Sequence, residues 1–139
     1  AGGALIVELL EAAGHSVASR VIVKDEPTEI AVAVEAAAAR QGVGAVIVTG
    51  GTGVAPRDVT PDTIEPLLDR TIPGFGELYR VLSYQEIGSA ALLSRALAGL
   101  KDGRVIFALP GSRGAVRLAM EKLILPELGH LVSQAVKTR

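Results

Sequence analysis

The sequence predicts a single doubly wound α/β domain, and two patterns along its 139 residues support this prediction. Short, wholly apolar runs at Ala45–Val48 and Val105–Leu109 are typical of strands buried on both faces of a sheet. Segments with apolar residues at helical spacing alternate with the predicted strands, which is the order expected of an α/β fold. The length matches one ordinary domain.

The composition excludes several classes of protein. The net charge is −1, 49% of the residues are hydrophobic and there is no cysteine. A disordered chain, a disulfide framework and thiol chemistry are therefore excluded. The near-neutral charge argues against nucleic-acid binding, which requires a basic excess. No apolar run approaches the ~20 residues of a membrane helix, and the first residues lack a basic signal-like start. We expect a cytoplasmic protein.

The N-terminal third is predicted to contain two helices and a strand. Apolar residues at helical spacing predict the first helix over Ala4–Ala13. Val17–Val23 is predicted to be a strand because of its valine-rich composition. The second helix is expected to begin at Pro27 or Thr28 and to end at Gly42, which suits a helix C-terminus.

The rest of the chain is predicted to be mainly helical around the strand Val105–Leu109. Pro61 suits the first position of a short helix, for which Thr60 would be the N-cap. Further helices are expected over Phe75–Gln85, Ser89–Ala98, Gly114–Leu125 and Glu127–Val136.

Each of the three predicted strands runs into a loop that is rich in glycine, proline or acidic residues. These loops are Lys24–Pro27, Thr49–Asp58 and Pro110–Gly114. If the strands are parallel, the loops emerge at one edge of the sheet, where open α/β sheets bind ligands. The spacing alone therefore predicts a binding site there.

The second loop favours an anionic ligand. Glycines at positions 50, 51 and 53 allow backbone N–H groups to approach an anion closely. Thr49 and Thr52 add hydroxyl donors. The loop is not a P-loop, because no Gly-Lys-Ser/Thr follows it. Arg57 could bind a phosphate or form a surface ion pair.

Two acidic residues could serve a metal ion. Asp25 and Asp58 could hold Mg²⁺, which prefers a few carboxylates together with phosphate oxygens and water. Asp58 could instead form a salt bridge with Arg57 or cap a helix, and Asp25 could cap the helix that begins at Pro27. Ser112 could cap a helix or contact a phosphate or ribose.

Several spaced motifs occur in order along the chain. They are Thr49-Gly50-Gly51-Thr52-Gly53, Arg57-Asp58, Thr60-Pro61-Asp62, Pro73-Gly74-Phe75-Gly76-Glu77, Leu93-Ser94-Arg95-Ala96 and Leu109-Pro110-Gly111-Ser112. Together they resemble the MoaB/Mog family of molybdenum-cofactor biosynthesis proteins. A sister group related to competence-damage proteins and nucleotide deamidases is less similar, because Thr52 and Arg57 differ from its pattern.

The resemblance implies a three-layer α/β/α fold with a mostly parallel sheet, assembled as a trimer or a dimer of trimers. It implies binding of molybdopterin, which active members adenylylate with Mg-ATP, releasing pyrophosphate before metal insertion. Other proteins of the cofactor pathway are possible partners. The alternative is a non-catalytic paralogue that binds or carries molybdopterin.

The resemblance also implies roles for individual residues. Asp25 and Asp58 match the essential acids and are the expected Mg²⁺ ligands. The expected phosphate and nucleotide contacts are Thr49, Gly50, Gly51, Thr52, Gly53, Arg57, Thr60, Pro110, Gly111 and Ser112. The expected residues on the pterin side are Glu77, Arg80, Ser83, Ser94 and Arg95.

The start of the chain differs from the family pattern. Family members begin with a strand ending in Ser-Asp, followed by a loop that carries another Asp. Here the first residues already resemble the start of the first helix. We therefore expect residues 1–139 to form one domain whose N-terminal strand and loop lie upstream of Ala1.

Overall fold

A computed structural model describes residues 2–137 as a mixed β-sheet between two layers of helices. The neighbouring strands of the sheet follow the order β1-β4-β3-β2. This arrangement confirms the predicted α/β fold. The strands are β1 (Ala45–Thr49), β2 (Arg70–Thr71), β3 (Leu97–Lys101) and β4 (Arg104–Leu109).

The two helical layers pack on opposite faces of β4. Val105 and Phe107 point into a cluster with α1, α4, α5 and α6, while Ile106 and Ala108 point into a cluster with α2 and α3. This alternation follows from the two-residue period of a strand. The helices are α1 (Gly2–Ala12), α2 (Pro27–Ala39), α3 (Thr60–Ile64), α4 (Pro73–Ile87), α5 (Arg113–Ala119) and α6 (Leu125–Ala135).

The predicted burial holds for β4 but not for β1. Val105 to Leu109 are at most 1% exposed. Every residue of β1 is only half-buried, because within residues 2–137 this strand pairs with β4 alone. β1 therefore lies at an edge of the described sheet.

The sheet is mixed, so the expectation of a mostly parallel sheet applies only to β1 and β4. These two strands pair in parallel, whereas β3 pairs with β4 and with β2 in the antiparallel sense. The cause is a two-residue turn between β3 and β4, in which Asp102 has φ 50° and Gly103 has φ 78°. An Asp-Gly pair is a strong hairpin signal, and such a short turn can join only antiparallel strands.

The predicted strand Val17–Val23 is wrong. Residues 15–24 form neither helix nor strand, and Val21 and Ile22 are 70% and 90% exposed. A strand requires a hydrogen-bonded neighbour and a buried face, and valine content supplies neither by itself.

The predicted helix Ser89–Ala98 is also wrong. Gly88, at φ 74°, ends α4, and Gly88–Leu93 forms a 3₁₀ helix. The chain then enters β3 at Leu97. Small apolar residues suit a buried strand as well as a helix, so the pattern did not distinguish them.

The two C-terminal helices are present, but a π-helical segment, Met120–Ile124, joins them. The N–H of Leu125 donates to the carbonyl of Met120, five residues earlier. Pro126 offers no N–H and would crowd the carbonyl four residues before it, and the wider π turn accommodates this. Within residues 2–137 no helix has the length and apolar character needed to cross a membrane.

Candidate functional site

Two of the predicted loops meet where the parallel strands β1 and β4 end. The N–H of Gly50 donates to the Leu109 carbonyl at 2.8 Å. The hydroxyl of Thr49 donates to the Pro110 carbonyl at 3.1 Å. A Cβ on Gly111 would lie 3.4 Å from the Gly50 Cα, which is ordinary van der Waals distance. The loops at 49–58 and 110–112 therefore form one surface.

The third loop brings Asp25 to the same place. A Cβ on Gly51 would lie 3.7 Å from Asp25 Oδ1, so the carboxylate borders the glycine-rich loop. Asp25 does not cap α2. Glu26 occupies the N-cap, and its carboxylate accepts from the Thr28 N–H at 3.5 Å. The predicted convergence of the three loops is thus present, although Val17–Val23 is not a strand.

Gly51 allows the loop to close against α3. Its φ is +69°, and a Cβ there would lie 2.5 Å from Thr60 Oγ1. Thr60 is 2% exposed, and its N–H donates to the Gly51 carbonyl at 3.1 Å. The prediction of Thr60 as the N-cap is wrong. Val59 is the N-cap residue, because Thr60 already lies within the helix and is packed against the loop.

Asp58 closes a turn inside the loop. Its Oδ2 accepts from the Ala55 N–H at 2.9 Å. A Cβ on Gly53 would lie 2.7 Å from that oxygen, so the carboxylate packs directly on the glycine backbone. Within residues 2–137 no salt bridge joins Asp58 to Arg57, whose side chain is exposed.

Arg95 holds the loop from the side of β3. Its Nε donates to the Gly53 carbonyl at 2.7 Å, and its Nη2 donates to the Asp58 carbonyl at 2.6 Å. Its Nη1 pairs with Asp62 Oδ1 at 2.9 Å. This hydrogen bond lowers the pKa of the Asp62 carboxyl below its ordinary value. The family resemblance implied a substrate contact for Arg95, and no local pattern indicated its ion pair with Asp62, 33 residues earlier.

Arg80 supports the segment that carries Arg95. Its Nη1 donates to the carbonyls of Ala96, at 3.1 Å, and Ser94, at 3.4 Å. The guanidinium also lines a cavity of about 180 Å³ between α4 and the start of β3. A Cβ on Gly76 would lie 2.8 Å from the Ala96 carbonyl oxygen, a backbone atom that cannot easily move, which explains the glycine at that position.

The other residues expected on the pterin side lie in different environments. Glu77 is exposed on α4. Ser83 is 4% exposed on α4, one turn after Tyr79, whose pKa is raised by burial. The Ser94 hydroxyl accepts weakly from the Ala96 N–H at 3.4 Å. These contacts do not bring the three residues together.

Ser112 acts as a helix cap. Its hydroxyl accepts from the Ala115 N–H at 3.2 Å, as expected for the residue that precedes α5. The side chain is exposed, next to the exposed Gly111 and the half-buried Pro110.

A divalent cation would have to rely on two carboxylates here. Within residues 2–137, no cluster of three or more His, Asp or Glu side chains could hold a metal ion. Mg²⁺ often takes only one or two carboxylates and completes its shell with water and substrate phosphates. Asp25 and Asp58, which pack on Gly51 and Gly53 respectively, fit that donor set.

The fold and this loop cluster define a domain of the molybdopterin-binding class. The family model described as "probable molybdopterin binding domain" matches residues 1–130. The chain belongs to this family, and the resemblance to MoaB and Mog proteins is confirmed.

Relatives at high identity come from molybdenum- and tungsten-cofactor pathways. Molybdenum cofactor biosynthesis protein B of Halalkalibacterium halodurans is 53% identical over 138 residues, covering 99% of this chain and 81% of that protein. A crystal structure of a molybdenum cofactor biosynthesis protein B superposes with a TM-score of 0.94 at 52% identity, covering 96% and 84% of the two chains. The tungsten cofactor synthesizing protein MoaB of Pyrococcus furiosus gives 0.88 at 39% identity, covering 98% and 85%.

Proposed function

We propose that this chain acts in molybdenum cofactor biosynthesis by binding molybdopterin and adenylylating it with Mg-ATP. The observation that carries the proposal is the meeting of the loops at 25, 49–58 and 110–112. Family membership and the names of the relatives support the choice of molybdopterin as the substrate.

The surroundings of the loop cluster suit phosphates. The helices α2, α3 and α5 begin there, since their first residues adjoin the loops at 25, 49–58 and 110–112. Helix N-termini carry partial positive charge and free N–H groups, which attract anions. The glycine backbone and the exposed Arg57 add further donors.

The proposed reaction needs little covalent chemistry from the protein. An oxygen of the terminal phosphate of molybdopterin forms a bond to the α-phosphorus of ATP. The bond between that phosphorus and the oxygen that bridges it to the β-phosphorus breaks. The electron pair leaves with pyrophosphate. The attacking phosphate is already ionised, so no general base is required. The loop N–H groups and Arg57 would orient the phosphates in line.

Asp25 and Asp58 would hold the metal ion that accompanies ATP. Bound Mg²⁺ screens the repulsion between two anionic phosphates and stabilises the charge on the leaving group. The hydrogen bond from the Ala55 N–H fixes the Asp58 carboxylate before any ligand arrives. A carboxylate that is already held in place stabilises the transition state more than one that must first be ordered.

A molybdopterin carrier without transferase activity is the second candidate. A carrier would also retain Asp58, because its contact with the Ala55 N–H gives the carboxylate a structural role that does not depend on catalysis. Binding of molybdopterin and Mg-ATP without pyrophosphate release would identify the carrier.

We also propose that the chain self-associates as a trimer or a dimer of trimers, in the cytoplasm, where ATP is available. α4 and the following 3₁₀ helix expose an apolar surface that a second copy would cover. Other proteins of the cofactor pathway are further possible partners. The exposed side chains are Leu78, Val81, Tyr84, Ile87, Leu92 and Leu93, each 48–73% exposed.

Pyrophosphate release from Mg-ATP and molybdopterin tests the proposed function. Asp58→Asn should lower the rate by about 10²–10³-fold, the usual loss when one electrostatic contact to the transition state is removed. Glu35→Gln is the matched control, because it removes an exposed carboxylate on α2 without touching the loops. Circular dichroism should show both variants folded. Wild-type turnover by Asp58→Asn would overturn the assignment.

A further inference from the structure

We infer that Arg95 is a positioning residue, which sets the shape of the loop at 49–58 instead of contacting substrate. The inference rests on the proposed function, since that loop is the proposed phosphate site. It also changes the role expected for Arg95 from the family resemblance, which was a substrate contact.

The guanidinium of Arg95 spans the second half of the loop, from Gly53 to Asp58. Nε binds the carbonyl of Gly53, and Nη2 binds the carbonyl of Asp58. Between these two points, the Ala55 N–H and the Asp58 carboxylate close the inner turn. The arginine therefore sets the distance between Gly53 and Asp58, the residues that flank the turn.

The geometry requires an arginine. Its planar guanidinium presents five N–H donors in a fixed fork, and contacts to Gly53, Asp58 and Asp62 occupy three different nitrogens. A lysine carries one ammonium on a flexible stem and cannot reproduce a planar fork. The three contacts engage Nε, Nη1 and Nη2, so three of the five N–H donors, one on each nitrogen, are used within the protein.

Arg95 is itself attached to the rigid part of the fold. Its backbone N–H donates to the Thr52 carbonyl at 2.8 Å. Arg80 holds the carbonyls on either side of it, those of Ser94 and Ala96. Leu97, two residues after Arg95, begins β3 in the sheet. The position of the loop is therefore fixed relative to the sheet through Arg95.

Loss of this contact should reduce the fraction of molecules with a binding-competent loop. Apparent affinity falls in proportion to that fraction, and saturating ligand restores it. A general loss of folded enzyme behaves differently, because it lowers the apparent kcat and leaves KM unchanged. The two parameters therefore separate positioning of the loop from a merely structural role.

The test uses Arg95→Gln and Arg95→Lys, with Arg117→Ala as the matched control. Arg117 lies on the last turn of α5, where its Nη1 forms an exposed ion pair with Oε2 of Glu121 at 2.9 Å. It has no part in the loop contacts described above. Both Arg95 variants should fold, because the backbone bond to Thr52 does not need the side chain. Hydrogen exchange in the absence of ligand should speed up at residues 50–58 in both variants and stay at the wild-type rate in the control.

Steady-state kinetics completes the test. The KM for ATP should rise by about 10- to 100-fold in both Arg95 variants, with kcat within about threefold of wild type. Unchanged exchange at residues 50–58 overturns the inference. A decrease confined to kcat also overturns the inference. Weaker ATP binding with wild-type exchange at residues 50–58 overturns it as well, because it would indicate that Arg95 contacts the substrate directly. A wild-type protein that neither binds Mg-ATP nor releases pyrophosphate would instead overturn the proposed function. The hydrogen-exchange result does not depend on the proposed function, because it is measured without ligand.

Discussion

Gly51→Ala should destabilise the protein more than an alanine at any open turn glycine. The added Cβ would lie 2.5 Å from Thr60 Oγ1, and the backbone is at φ +69°. The left-handed conformation costs about 1–2 kcal/mol for a residue with a Cβ. Overpacking against the buried Thr60 adds about 1–3 kcal/mol. We expect a total loss of about 2–5 kcal/mol in the free energy of unfolding.

Gly14→Ala separates the two contributions, because Gly14 has φ +90° with no atom within 4 Å of its Cβ position. Urea unfolding of both variants measures the difference, which should be about 1–3 kcal/mol. A second substitution, Thr60→Ala, should relieve Gly51→Ala in a double-mutant cycle. Equal losses of unfolding free energy in Gly14→Ala and Gly51→Ala would refute the packing of the loop on α3. A double-mutant cycle with no interaction energy between positions 51 and 60 would also refute it.

Three further predictions concern the helix cap, the exposed surface and the ion pair. Ser112→Ala should lower the free energy of unfolding by about 0.5–2 kcal/mol in urea titrations, since it removes the N-cap of α5. Leu78→Glu should shift sedimentation towards smaller species, whereas Val32→Glu, on the similarly exposed α2 surface, should not. The Arg95–Asp62 contact lowers the pKa of Asp62, so its stabilisation is present at neutral pH and is lost as the pH falls below about 4. The stability difference between wild type and Asp62→Asn, measured at a series of pH values, should therefore vanish in acid.

Local signals predicted most of the helices correctly. Pro27 begins α2 as predicted, and the predicted helix Phe75–Gln85 lies within α4, which begins two residues earlier at Pro73. The wholly apolar run at Val105–Leu109 correctly predicted a strand covered on both faces.

The errors arose where a local pattern was ambiguous or needed a distant partner. Leu97–Lys101 contains residues that suit a helix, and its strand pairing depends on the hairpin at Asp102 and Gly103. That Asp-Gly pair was visible in the sequence and should have indicated the hairpin. Val17–Val23 shows the opposite error, because its residues favour a strand but form none in the structure.

The location of the site was predictable, but the role of each residue was not. Glycines and acids after predicted strands indicated the edge of the sheet where Gly51, Asp25 and Gly111 do meet. The contact of Arg95 with Gly53 spans 42 positions, so no local pattern could reveal it. A motif can place an arginine near a site without showing whether it binds a ligand or the protein itself.

The most direct test of the central claim is the product formed from molybdopterin and ATP. Wild-type protein with Mg-ATP and molybdopterin should yield adenylylated molybdopterin, detected by mass spectrometry, with one pyrophosphate released for each molecule formed. Asp58→Asn should yield neither product at a comparable rate. Stable binding of both ligands by the wild type without either product would contradict the claim and would favour a carrier.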